Sequence, residues 1–236
     1  MTNTLFLRLE GPLQSWGERG RWSVRDSASE PTKSGVVGLL GCALGRGDDD
    51  GLRALSESLR MGVRVDRPGT RLTDYHTIGG GYDAPALLTA EGKPKWSSGG
   101  PHTEISQRDY LADASFLVAL QGEPALVAQL AAALTTPVWV IYLGRKSCPP
   151  TRPVFAGTAD YPDLETALAH YPWPEKKLDR RNETNREALR AVIECDPDVG
   201  DTRQRDHLLS RRFRLYDPRY TRTISLPPPV QLQEAG

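Results

Sequence analysis

SFLVALQGEPALVAQLAAALTTPVWVIYLGRK, residues 115–146, contains three candidate secondary-structure elements in succession. This segment therefore indicates the fold class of the chain. The apolar run 115–120 predicts a buried strand, and residues 123–134 have the length and composition of a helix. Residues 139–143 predict a further strand, which ends at Gly144. A strand, a helix and a strand in this order are one half of an α+β fold.

The N-terminal part of the chain predicts the other half. Residues 5–9 are typical of a first strand, and residues 35–44 of a helix that Thr32 or Ser34 can cap and Gly45 can end. Residues 52–59 predict a second helix, and the alternation at 62–66 predicts a second strand. The complete order, β-α-β-(arm)-β-α-β, is the ferredoxin-like pattern.

Two regions are less regular. Residues 69–110 contain glycine-rich turns, and because a structureless loop of this length is unusual inside a domain, we expect an extended hairpin or a flexible arm. After residue 153 we expect a short helix and a small β-rich C-terminal module, so that residues 1–155 form one domain and 156–236 a module with a tail. The expected elements are a helix at 163–170, a flexible connection at 175–187, strands at 188–195, 212–216 and 224–226, and a loose tail from 227.

The composition excludes several classes of protein. The chain has 236 residues, 30 Lys+Arg against 30 Asp+Glu, and 38% hydrophobic residues, which indicates a folded domain rather than a disordered or membrane chain. Three widely spaced cysteines and no signal-peptide pattern indicate a reducing cytoplasm. Charge is uneven, because residues 124–159 contain no acid, whereas residues 203–222 contain seven arginines.

No cofactor or metal is expected. The histidines and cysteines show no CxxC, HxH or HExxH spacing, and no phosphate-binding GxxxxGK[ST] loop is present. Gly35, Gly38 and Gly41 fall inside the predicted helix, where small residues allow close packing on a sheet.

Three segments have the chemistry to bind phosphate or RNA, and each also has a simpler interpretation. Residues 31–35 (PTKSG) begin a helix, whose free N–H groups attract anions, although capping alone would explain the hydroxyls. Residues 144–147 (GRKS) place two cations after a strand, or form a solvated basic turn. Residues 13–17 (LQSWG) offer an indole for base stacking, or a buried tryptophan that closes the core.

Five motifs occur in an order that resembles a known family: residues 9–17 (LEGPLQSWG), 31–41 (PTKSGVVGLLG), 74–77 (DYHT), 108–116 (RDYLADASF) and 142–149 (YLGRKSCP). They are similar to the CasD family, which provides a subunit of the type I-E CRISPR complex Cascade and belongs to the RAMP superfamily. The resemblance covers residues 4–157 well and is thin beyond Gly157.

The resemblance implies an RNA-recognition-like ferredoxin fold with a long β-hairpin thumb at about residues 75–110. It also implies a cytoplasmic, non-catalytic subunit that holds the 5′ handle of the guide RNA for antiviral DNA interference. The implied partners are the backbone subunit CasC, the large subunit CasA and, through the complex, target DNA. The matching positions expected to contact RNA are Arg108, Tyr142, Arg145 and Lys146, followed by Gln14, Ser15, Trp16, Thr32, Lys33 and Ser34, with His76 either structural or in contact with RNA.

Two other functions stay open at this point. Tyr75, His76, Lys33 and Lys146 supply the residue types of a metal-independent endoribonuclease that processes precursor guide RNA. The resemblance argues against it, because in that family a separate subunit, CasE, cuts the RNA. The third possibility is a scaffold that contacts only protein.

Overall fold

The computed structural model describes residues 2–18, 20, 23–82, 86–172 and 188–227. Within these residues the helices are α1 Lys33–Leu44, α2 Asp49–Glu57, α3 Pro124–Thr135 and α4 Leu164–His170. The strands are β1 Thr4–Glu10, β2 Leu13–Gln14, β3 Val24–Arg25, β4 Arg60–Arg67, β5 Thr70–Gly79, β6 Trp96–Ser97, β7 Gly100–Pro101, β8 Thr103–Ala112, β9 Ser115–Gln121, β10 Phe155–Ala159, β11 Leu189–Cys195, β12 Thr202–Ser210 and β13 Leu215–Leu226.

The main sheet has seven strands in the order β10-β1-β9-β4-β11-β13-β12, and every neighbouring pair is antiparallel. Side chains alternate between its two faces. Leu5 and Leu7 belong to the core cluster that contains residues of α1, α2 and α3, whereas Phe6 and Leu117 pack with α4. The chain is therefore a mixed α+β protein built mostly on antiparallel sheet.

The predicted caps of α1 are confirmed. The Thr32 hydroxyl accepts a hydrogen bond from Gly35 N at 3.3 Å, which satisfies one of the free donors of the first turn. Gly45 ends the helix in the left-handed conformation, with φ of 68°. The predicted strand at 62–66 is β4, and the helix predicted at 52–59 is α2, displaced toward the N-terminus.

The strand predicted at residues 139–143 is wrong. Pro137 leads into an irregular segment whose backbone donors are used by α1: Val138 N donates to Ala43 O and Trp139 N to Cys42 O, both at 3.0 Å. The segment satisfies carbonyl groups at the end of the helix and does not enter the sheet. The outer partner of β1 is β10, which begins at Phe155.

Residues 69–110, for which we expected a hairpin or an arm, contain a second sheet. Strands β5 and β8 pair antiparallel over ten positions, from Thr70 opposite Ala112 to Gly79 opposite Thr103. The other edge of β8 pairs with β2, and with β3 in a parallel orientation. The long pair, called the β5–β8 hairpin below, carries β6 and β7 in its connection.

The described C-terminal strands continue the main sheet, because β11 pairs with β4. The predicted helix at 163–170 and the strand at 188–195 are confirmed as α4 and β11. The strand predicted at 212–216 is mostly wrong, because residues 212–214 form a turn and only 215–216 belong to a strand, β13. The strand predicted at 224–226 is the other end of β13, and β12 was missed. The division at residue 155 stays a prediction. The connection predicted at 175–187, and all of the predicted tail except Pro227, lie outside the described residues.

Candidate nucleic-acid interface

The three segments with phosphate-binding chemistry meet in the structure. Ser15 N donates to Leu143 O at 3.1 Å, and a Cβ on Gly144 would lie only 1.7 Å from the Ser15 carbonyl oxygen. Gly144 also has φ of 89°, so this close approach requires glycine. On the other side, the Trp16 ring lies 2.9 Å from where a Cβ of Gly35 would stand, at the start of α1.

The segment at 13–17 contacts the segments at 31–35 and 144–147, and its side chains at 14–16 are buried. Gln14 is fully buried, and its amide donates to the carbonyls of Leu9 and Ala114 at 3.0 and 2.9 Å. Trp16 is 1% exposed and donates from Nε1 to the Gln14 side chain at 3.1 Å. Ser15 is also buried. A base cannot reach these side chains in this conformation, so Trp16 follows the simpler interpretation of a core residue.

Lys33 is 2% exposed, and its ammonium donates to Glu194 Oε1 at 2.8 Å. Burial lowers the pKa of Lys33, and the Glu194 carboxylate opposes that shift. Arg219 completes this buried group through a two-pronged contact with Asp206, at 2.6 and 2.9 Å. Asp206 also accepts from Lys33 N at 2.7 Å. Lys33 therefore joins α1 to the C-terminal strands and is not available to a phosphate.

The remaining residues of the α1 start are used locally. Thr32 is buried as the helix cap, and Ser34 is half-buried in the first turn. Neither presents the open hydroxyl that the sequence suggested.

Four cations do reach solvent together, and we call Arg25, Arg108, Arg145 and Lys146 the basic lip. Arg25 lies opposite Arg108 in the β3–β8 pairing. Arg145 donates from Nη2 to Arg25 O at 2.9 Å, and its guanidinium carbon lies 4.6 Å from the centre of the Tyr110 ring. Lys146 follows in the exposed turn. Arg25 was missed, because it lies in a Gly/Arg/Ser-rich connection that we passed over as a loop.

The positive charges of the basic lip are not neutralised by carboxylates of the described residues, so the lip can bind an anion. Among the described residues, none of its four cationic groups forms an ion pair with a carboxylate. Asp74 lies opposite Arg108 in the β5–β8 hairpin, but its carboxylate is 3.4 Å from His76 Nδ1. Nη1 of Arg145 is buried without a hydrogen-bond partner in the described structure.

A family model described as CRISPR-associated protein (Cas_Cas5) matches residues 4–224. The chain belongs to the Cas5 family. The resemblance read from the five motifs is therefore confirmed, and the match extends well beyond Gly157, where the motifs became thin.

Known relatives resemble this Cas5 chain over most of its length. "CRISPR system Cascade subunit CasD" of Escherichia coli (strain K12) is 40% identical over 185 residues, which are 72% of this chain and 78% of the relative. A solved "CRISPR RNA-guided surveillance complex" contains a chain with a TM-score of 0.78 and 31% identity, covering 97% of this chain and 92% of the other. A second, "Crystal structure of Cas protein", has a TM-score of 0.67 at 35% identity, with 96% and 97% covered.

Tyr142 lies apart from the basic lip of this Cas5 chain. It is half-buried, and burial raises the pKa of its phenol, as does a hydrogen bond with Cys42 near the end of α1; the Arg211 guanidinium acts in the opposite direction. Tyr142 therefore faces α1 and the β12–β13 connection.

The nuclease candidates are not brought together. Tyr75 and His76 are consecutive on β5, so their side chains point to opposite faces of the β5–β8 hairpin. Lys33 is buried on α1, and Lys146 belongs to the basic lip. Among the described residues no group of three His, Cys, Asp or Glu side chains could hold a metal, and no described helix is long and apolar enough to cross a membrane.

Proposed function

We propose that this Cas5 chain is a non-catalytic RNA-binding and assembly subunit of a CRISPR Cascade complex, and that it holds the 5′ handle of the guide RNA. The observation that carries the proposal is the basic lip, where four cations lie together without a carboxylate partner among the described residues. Single-stranded RNA is bound by neutralising its phosphates and stacking its bases.

The basic lip is suited to a phosphate because it is organised before RNA arrives. The Arg145 side chain is held by the Tyr110 ring and by carbonyl oxygens of Arg25 and Asp26. An arginine fixed in this way loses little conformational freedom on binding. Lys146 and Arg108 then add charge on either side.

We also infer the ferredoxin-like arrangement and a thumb from the order of elements. Strands β10-β1-β9-β4 are adjacent in the main sheet, with α1 and α2 between β1 and β4 and α3 between β9 and β10. This order fits a β-α-β-β-α-β domain. The β5–β8 hairpin is then the thumb, and the handle lies against the basic lip, to which the hairpin contributes Arg108.

The names of the relatives support the assembly role. The CasD relative is a Cascade subunit, and the relative of known structure belongs to an RNA-guided surveillance complex. We extend the same role to this chain, with the CasC and CasA subunits and, through the complex, target DNA as partners. The setting we propose is the cytoplasm.

The test compares two double variants in their binding to guide RNA over a range of salt concentrations. Arg108→Ala with Lys146→Ala removes two cations of the basic lip. Arg60→Ala with Arg222→Ala removes two cations beside α4, on the face of the main sheet opposite α1. Each phosphate neutralised on single-stranded RNA contributes about 0.7 to the slope of log affinity against log salt, so the lip variant should lose about 1.4.

The control variant should bind as the wild type does. Equal slopes for the lip variant and the wild type would place the RNA elsewhere. No RNA retained by the wild-type chain, alone or in the assembled complex, would favour the scaffold that contacts only protein. Arg145 is left intact because it packs on Tyr110. Its substitution could therefore disturb the local structure, and a loss of binding would then have two explanations.

A further inference from the structure

The turn between β12 and β13 has the chemistry of an RNA-binding loop. Its residues are Arg211, Arg212, Phe213 and Arg214, all exposed, and Phe213 is 68% exposed. Among the described residues none of the three guanidinium groups forms an ion pair with a carboxylate. We call these four residues the arginine turn. They carry part of the arginine-rich stretch 203–222, which the proposed handle site does not use.

The backbone of the arginine turn is held in place by Asp49, the first residue of α2. Asp49 accepts hydrogen bonds from Arg211 N at 3.0 Å and from the Ser210 hydroxyl, and Phe213 N donates to that hydroxyl at 3.1 Å. The Ser210 hydrogen bond lowers the pKa of Asp49. These contacts hold the turn without using its four side chains, which are all exposed.

Arg214 occupies a position that turn geometry favours for glycine. Its φ is 52°, in the left-handed region that side chains other than those of Asn and Asp seldom adopt. A glycine there would remove the strain, yet the sequence has a third cation. The adjacent Arg212 guanidinium lies 5.4 Å from the centre of the Phe213 ring, so charge and aromatic surface are presented together.

The arginine turn is continuous with the region around the basic lip. Arg214 donates to Gly20 O at 3.4 Å, in the connection that also contains Arg25. On the other side, the Arg211 guanidinium and the Trp139 ring each lie 3.5 Å from where a Cβ of Gly47 would stand. Trp139 is about half exposed, so a second aromatic surface lies beside the turn.

We propose that the arginine turn is a second contact site for single-stranded guide RNA, separate from the handle site at the basic lip. Arg211, Arg212 and Arg214 neutralise phosphates, and a base stacks on Phe213 or Trp139. The inference rests on the proposed function, because it assigns a further stretch of the same RNA to this chain. Interleaved cations and aromatic rings suit single strands, whose bases are free to stack.

The test uses the full chain, alone and assembled with the other subunits on guide RNA. The turn variant is Arg212→Ala, Phe213→Ala and Arg214→Gly, in which glycine suits the left-handed position and protects the fold. The lip variant and the control beside α4 are those described above. The turn variant should bind guide RNA at least about tenfold more weakly, with a salt slope lower by about 1.4. Ultraviolet cross-linking should join RNA to peptides containing Phe213 or Trp139.

The outcomes separate the two proposals. Loss of RNA affinity in the lip variant alone supports the handle site and overturns the arginine turn as an RNA site. Loss in the turn variant alone supports the turn and overturns the lip. Normal RNA binding by the turn variant, with loss of another subunit from the complex, shows that the turn binds protein and overturns the inference. Cross-links only to peptides distant from the turn overturn it as well.

Discussion

Lys33 on α1 and Glu194 on β11 form a buried ion pair, with 2.8 Å between Nζ and Oε1, although 161 positions separate them in the sequence. Glu194 also accepts from Met61 N at 3.1 Å through its second oxygen. The start of α1, the start of β4 and the end of β11 are therefore held at one point. The motif PTKSG, which has the residue types of a phosphate-binding site, thus has a structural role in joining these elements.

Replacing Lys33 with Met should destabilise the chain strongly. Removal of Lys33 leaves the buried Glu194 carboxylate with only the longer ion-pair contact to Arg219, at 3.9 Å. Loss of one partner of a buried ion pair typically costs about 3–5 kcal/mol. Urea unfolding measures the change, and Lys33→Met with Glu194→Gln should recover part of the loss. The exposed Lys146→Ala is the control and should stay within about 0.5 kcal/mol of the wild type. Equal stability of Lys33→Met and the control would contradict a structural role for the pair.

Stability should fall below about pH 6.5 because of His207. Burial lowers its pKa from the ordinary 6.5, and the Lys33 charge lowers it further, while Glu194, Glu57 and Asp217 oppose these effects. The folded state therefore binds fewer protons than the unfolded state between the lowered pKa and 6.5, so the free energy of unfolding decreases as pH falls through that interval.

His207→Asn should remove this component, so the difference between the variant and the wild type should change between pH 7.5 and pH 5. His170→Asn, at the exposed end of α4, controls for the loss of an imidazole. A constant difference between wild type and His207→Asn over this range would count against the assignment.

Gly144→Ala should cost more stability than Gly92→Ala. Both glycines have positive φ, 89° and 78°, so both substitutions strain the backbone by about 1–3 kcal/mol. A Cβ at Gly92 meets nothing within 4 Å, whereas one at Gly144 would lie 1.7 Å from Ser15 O and force the two segments apart. Thermal unfolding measures both, and the difference isolates the contact. Similar losses would show that the contact relaxes easily.

Trypsin should cut the free chain first at the Lys95–Trp96 bond. The connection of the β5–β8 hairpin has strands of only two residues there, and Trp96 is exposed, so local opening is easy. Assembly with RNA and the other subunits should slow this cut. Arg53, an exposed residue within α2, is the internal control and should resist in both states. Equal cutting rates in the free and assembled chain would oppose a thumb that closes on RNA.

The purified chain should retain precursor guide RNA without cutting it. Catalysis needs a base within hydrogen-bond reach of the 2′-hydroxyl and an acid near the leaving oxygen, and the candidate side chains are dispersed. The measurement is a metal-free incubation with excess RNA, followed by a search for 2′,3′-cyclic phosphate ends. Multiple turnovers that are lost in His76→Ala or Tyr75→Phe would establish the nuclease instead.

Local signals in the sequence were enough for the caps and for most buried strands. Thr32 and Gly45 mark the ends of α1 because capping depends on nearby residues. Residues 139–143 misled us because an apolar run looks the same whether its backbone pairs with a strand or with the end of a helix. Strand β12 was missed because Arg203, Arg205 and Asp206 interrupt its hydrophobic pattern.

The site was less predictable for a related reason. Trp16 and Lys33 have the residue types of an RNA contact, and only their distant partners show that they are internal. Arg145 and Lys146 are candidates from the sequence because two cations follow a glycine, whereas the arginine turn becomes a candidate only once Asp49 is seen to hold its backbone.

The two edge strands of the main sheet, β12 and β10, are poorly suited to pairing with a strand of another chain. In β12, the pairing register with β13 shifts twice, and Arg203 and Arg205 are exposed along the strand. At the opposite border, the pairing of β10 with β1 is interrupted between Phe6 and Leu7. Bulges and charges of this kind discourage edge-to-edge growth. A chain that ended at Ala159 would instead expose the smooth border of β4, at Gly62–Arg64, and should aggregate by strand addition.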